Sequence, residues 1–109
     1  METHKAWLYL WVAGALEIVW ALCLQYTRGF TRLGPSAGVL SVMAVSFYCL
    51  SQALKGLPIG TAYAVWTGIG AAGTAICGML FFGEPTHVWR VACIFAIVAG
   101  TAGLKVFSR

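Results

Sequence analysis

One carboxylate stands alone in an apolar run. From Ala6 to Leu24 the sequence reads AWLYLWVAGALEIVWALCL, and Glu17 is its single charged residue. An ionised group in such a setting is costly, and desolvation favours its neutral form. A carboxyl group so placed can hold a proton or a cation, but it cannot fully serve both at once. That competition is the basic chemistry of a proton-coupled exchanger. Helical spacing supplies neighbours, because residues three or four apart share a face. Gly14 and Trp20 flank Glu17 three residues to either side; the glycine permits close approach, and the tryptophan offers an indole N–H and a π face. Further along, Tyr63 with Thr67 and Trp66 with Gly70 form i,i+4 pairs. An aromatic face attracts a desolvated cation by about 2 kcal/mol or more. Serines recur at 36, 41, 46 and 51, a spacing that winds around a helix; Ser46 stands halfway along its apolar stretch.

The elements that position these residues are membrane spans. Of 109 residues, 61% are hydrophobic and 9% charged, with a mean hydropathy of +0.85, whereas a soluble domain carries about 25% charged residues. Four apolar stretches, about 5–26, 33–54, 58–82 and 87–107, are separated by short polar breaks. Each approximates the roughly 20 residues that cross a bilayer as a helix. The expected fold is therefore all-α and integral to the membrane: one four-transmembrane-helix domain over residues 1–109, multi-pass, with lipid as its solvent. Glu17 lies 12 residues beyond Lys5 and 11 before Arg28. That depth is roughly 16–18 Å from either end, near the middle of a hydrocarbon core about 30 Å thick. Trp7, Tyr9 and Trp89 suit an interfacial aromatic belt, while Arg90 and Lys105 bracket the last span and can snorkel.

Several classes are excluded. The net charge of +4 comes without clustered Lys and Arg, so no nucleic-acid footprint is expected. Cys23, Cys49, Cys77 and Cys93 fall one to a span without a CxxC spacing, which argues against a metal or disulfide framework. No nucleophile–base pair can be assembled, so neither an enzyme nor a cofactor is expected. The first apolar stretch exceeds the usual signal-peptide core and lacks a clear cleavage site, so it is expected to be retained.

The third span contains GIGAAGTAICG, whose Gly68, Gly70, Gly73 and Gly78 serve close packing, a hinge, or both. In the fourth, Ala96 with Gly100 and Ala99 with Gly103 form small-xxx-small pairs suited to a helix–helix contact. The basic residues divide almost evenly: Lys5, Lys55, Lys105 and Arg109 on one side, Arg28, Arg32 and Arg90 on the other. Orientation follows Lys/Arg bias. Either one or two charges decide a single orientation, or the chain inserts both ways and pairs antiparallel.

The segments GALEIVWAL, GFTRLGPS, LPIGTAYAVWTGIGAAG, FFGEP and TAGLK resemble the small multidrug resistance transporter family over essentially the whole chain. Trp20 three residues after the acid, together with WTGIGA, is similar to the guanidinium exporter branch. The resemblance implies an antiparallel, dual-topology homodimer in the inner (plasma) membrane that exports guanidinium in exchange for protons. It implies a shared site with both copies of Glu17, in which Trp20 and Ser46 hydrogen-bond and orient the carboxylate. Tyr63 would be a conformational switch and Trp66 would line the pocket. Gln25 departs from the pattern, standing where relatives usually carry Lys; this leaves the central site untouched and bears on charge at the membrane edge. Guanidinium, planar and able to make forked hydrogen bonds, suits carboxylates. The competing readings are a broader exporter of quaternary-ammonium or hydrophobic cations, which Trp20 opposes by narrowing the pocket, and a non-transporting membrane subunit, which leaves Glu17 without a purpose.

Overall fold

The computed structural model describes residues 3–107, leaving Arg109 and its share of the charge count outside the described residues. Four helices account for most of them: α1 (Thr3–Leu24), α2 (Leu33–Ala53), α3 (Ile59–Phe81) and α4 (Val88–Phe107). All four are long and apolar enough to cross a membrane. Pro58 precedes α3 in an extended conformation, with φ −62° and ψ 146°. Its carbonyl accepts the N–H of Ala62, so the missing proline N–H costs the helix nothing.

The α1–α2 link turns on Thr27, the hub of a short 3₁₀ turn over Gln25–Thr27. The buried Thr27 hydroxyl donates to the Leu24 carbonyl at 2.8 Å and accepts from Phe30 N–H at 3.2 Å. Its own carbonyl accepts from Thr31 and Arg32. These bonds hold Arg28 and Phe30 at φ 48° and 67°, in the left-handed region that non-glycine residues rarely adopt.

α1 packs along α2 and α3, and the backbone of α4 leans on α3, while α2 and α3 meet only briefly. The core gathers at one end of the bundle. There Ala6, Trp7, Leu10 and Ala13 of α1 meet Cys49 and Ala53 of α2 and Ala62, Val65 and Trp66 of α3. In lipid, apolar burial between helices gains little, and close packing dominates. The fully buried alanines let the backbones approach, and the two indoles fill what remains. Trp7 is thus a core residue, 5% exposed, and not the belt residue that its place near the chain end suggested. It stacks near Trp11 at 5.8 Å, and Lys105 Nζ lies 4.9 Å over its ring. Trp89, by contrast, is 79% exposed.

The opposite end is open. Beyond Glu17 on α1 and Gly70 on α3 the packing gives way to a cavity. The molecule is a slab of 39 × 36 × 17 Å, and Ile94 is the one residue that α4 buries.

Candidate functional site

Glu17 reaches across from α1 and rests on α3. A Cβ built on Gly70 would collide with its Oε1 and Cδ and stand 2.7 Å from its Cγ. Only glycine leaves space for the carboxylate there. Oε1 is buried and has no hydrogen-bond partner. Among the described residues the one ion pair is Glu84 with Arg90, so Glu17 has no counter-ion there.

The carboxylate borders a cavity of about 590 Å³, lined among others by Ala21, Gln25, Thr67, Gly70, Thr74 and Gly78 and, at its outer end, by Phe82, Glu84 and Arg90. Gly70, Thr74 and Gly78 recur every four residues and form one stripe of α3. The Thr74 hydroxyl is buried and unpartnered between the two glycines. Gln25, expected to lie clear of the site, lines this same cavity, with its amide donating to the Leu22 carbonyl at 3.1 Å.

Ser46 serves a different group from the one expected. Its hydroxyl donates to the Ala13 carbonyl at 2.8 Å and accepts from Trp66 Nε1–H at 3.2 Å. A serine hydroxyl has one proton to give, and here the backbone takes it. Ala13 is one helical turn before Glu17, so Ser46 ties α1, α2 and α3 together directly beneath the acid without touching its carboxylate. Ser41 and Ser51 instead donate to carbonyls of their own helix, those of Ala37 and Tyr48.

The aromatic residues form a chain across three helices. Trp20 meets Phe47 at 6.4 Å, Phe47 meets Trp66 at 5.4 Å, and Trp66 meets Tyr63 at 5.7 Å. Trp20 Nε1 is buried without a partner and makes no hydrogen bond to Glu17. Trp66 is buried, while Tyr63 is 55% exposed. Within one chain, therefore, Glu17 and Gly70 border the cavity, whereas Ser46 and Trp66 are buried in the neighbouring packed end, Trp20 packs against its edge, and Tyr63 lies exposed beside Trp66. Phe47, which joins the two tryptophans, was not singled out in the sequence; its adjacency to Ser46 was the available signal.

Gly14, expected to belong to the binding set because it shares the Glu17 face of α1, does not line the cavity; it accommodates Ile69 of α3, whose Cγ2 would lie 2.6 Å from an added Cβ. The glycines expected to serve packing or bending divide, and Gly68 accommodates Thr101 of α4. Gly100 and Gly103 face open space in this chain. Gly73 and Gly78, from the same glycine-rich run of α3, also sit under side chains, those of Ile18 and Glu84.

Comparison with known proteins adds a family. Residues 5–97 match the family described as Small Multidrug Resistance protein. A guanidinium exporter of Proteus vulgaris is 57% identical over 103 residues, 94% of this chain and 99% of that protein. One of Yersinia pestis is 52% identical over 103 residues, covering 94% and 99%. One of Salmonella typhimurium is 54% identical over 101 residues, covering 93% and 96%.

Proposed function

This chain belongs to the small multidrug resistance family, and from that premise we propose that it exports guanidinium ion in exchange for protons, with Glu17 as the group for which the two compete. The observation that carries the reading is Glu17 Oε1: buried, unpartnered, seated on Gly70 and bordering the cavity. A buried acid without a counter-ion gains by taking a proton or by taking a cation. Guanidinium fits the second role, since it carries only N–H donors and pairs with carboxylates through a planar fork. The relatives named guanidinium exporters support that choice of cation.

The working unit in this reading is an antiparallel homodimer in the inner membrane. The 17 Å extent of the slab in its thin direction corresponds to about two helix layers packed roughly 8–10 Å apart, too few to surround a transport path. α4 carries an open face with Gly100 and Gly103. One end of each chain is tightly packed and the other open, so two inverted copies would present a closed and an open end to each side of the bilayer. This is the inverted-repeat logic of larger transporters, with the site near the midplane. In the assembled site, Trp20, Trp66 and Tyr63 would wall the space around two Glu17 carboxylates, with Tyr63 as the mobile member.

Flux from proteoliposomes tests the function. Guanidinium should drive proton movement in the opposite direction, tetraalkylammonium should do so poorly, and Glu17→Gln should abolish the coupling. Proton-coupled guanidinium transport by Glu17→Gln at the normal rate would overturn the mechanism. Preference for tetraalkylammonium would instead favour a broader cation exporter.

A further inference from the structure

Two acids fall within the described residues, Glu17 and Glu84, and both line the same cavity. Each rests on a glycine of α3: Glu17 on Gly70 and Glu84 on Gly78. The two glycines are eight residues apart, about 12 Å along the helix and on one face. Between them stands Thr74, its hydroxyl buried and unpartnered.

The loop after α3 builds the outer seat. Gly83 at φ +68° turns the chain back, and Glu84 N–H bonds to the Gly78 carbonyl at 3.1 Å. The side chain thereby folds onto Gly78, where an added Cβ would stand 2.7 Å from its Cδ. Arg90, on the first turn of α4, places Nη2 2.6 Å from Glu84 Oε1. A guanidinium group thus already occupies the outer carboxylate. Arg90 Nε is buried without a partner, so the arginine head is only partly satisfied. The pair is solvent-accessible, 36% exposed at Arg90 and 48% at Glu84, and ion pairs of that exposure are held weakly.

We propose that Glu84 is a second cation site at the mouth of the Glu17 cavity. Arg90 holds this site as an exchangeable stand-in, and an entering guanidinium displaces it before passing Thr74 to reach Glu17. The inference rests on the guanidinium-export reading and adds an outer station to it. A free guanidinium ion offers N–H donors and no acceptors, so its route needs oxygens. Glu84, Thr74 and Glu17 supply them at intervals of about one helical turn. The residue that competes at the outer station carries the same functional group as the substrate, so exchange swaps one charge-assisted hydrogen bond for another.

The two partners then act in opposite directions, which a purely structural ion pair would not do. In proteoliposomes of the full chain, guanidinium uptake is measured against concentration for the wild type, Glu84→Gln and Arg90→Gln. Glu84→Gln removes the station and should raise KM about three- to fivefold, the scale of one exposed ion pair. Arg90→Gln removes the competitor and should lower KM by a similar factor. Opposite shifts support the outer site. Unchanged KM values, or shifts of the same sign, overturn it. If Glu84→Gln folds poorly, the Arg90→Gln direction alone decides, because loss of a stabilising pair cannot lower KM. Failure of the wild type to move guanidinium at all would remove the export reading itself, an outcome distinct from wild-type transport with unshifted variants.

Discussion

The Glu17 carboxylate lies on the bare backbone of Gly70, so closely that one added methyl group would occupy the space of Oε1 and Cδ. A carboxylate reaching from one helix to a glycine on another is fixed by the absence of a side chain as much as by any bond. Gly70→Ala should therefore displace Glu17 from the cavity wall. Overpacking of this kind costs about 1–3 kcal/mol, so guanidinium flux should fall by about tenfold or more at an unchanged amount of inserted protein. Gly60→Ala, where an added Cβ meets nothing within 4 Å, should leave flux within about twofold, the range expected of open-site changes. Side-by-side proteoliposome rates check both.

Ser46 joins three helices through one hydroxyl, bonding to Ala13 and receiving Trp66. Ser46→Ala would leave the buried Trp66 N–H without an acceptor, a loss of about 1–3 kcal/mol. Trp66→Phe should hurt less through hydrogen bonding, since Ser46 keeps its bond to Ala13. Because the two residues share one interaction, the double substitution should cost less than the sum of the singles. Reversible unfolding in bicelles measures all four corners of that cycle.

The four helices and the lone acid were legible because a bilayer imposes a strict rule: every span must be apolar for about 20 residues, and an exception stands out. The partner of Ser46 was not legible. The family resemblance implied that it would orient Glu17, but a single hydroxyl proton chooses among acceptors by geometry, and here the Ala13 carbonyl takes it. The Glu84–Arg90 pair was also hidden. Its two charges read as loop and span-end residues until the Gly83 turn folded one onto Gly78 beneath the other. Glu17 and Gly70 belong to separate spans, and nothing in either span alone tells that one lies on the other.

Trp7 and Trp89 look alike in sequence, each near a span end, yet their exposures are 5% and 79%. The difference lies in partners: Trp7 sits among α1, α2 and α3 with Lys105 over its ring. Trp7→Ala should destabilise the chain by about 3–5 kcal/mol, as for large-to-small changes in packed interiors. Trp89→Ala should stay within about 0.5 kcal/mol. Lys105→Met, which removes only the cation over the ring, should cost about 0.5–1 kcal/mol. The same unfolding assay ranks the three.

On α4, Gly100 and Gly103 face open space, and Ile94 is the one buried residue. Within a single chain nothing requires either glycine to be small. If α4 packs closely against a second copy, both must be small, because backbone approach is what drives helix association in lipid. Gly100→Leu with Gly103→Leu should then leave the four-helix fold intact and weaken pairing by about tenfold or more, which corresponds to about 1.4 kcal/mol. Energy transfer between differently labelled copies in liposomes, titrated against lipid dilution, reads the pairing directly. Guanidinium flux should decline in step with it. Unchanged transfer with normal flux would move the subunit contact away from this face of α4.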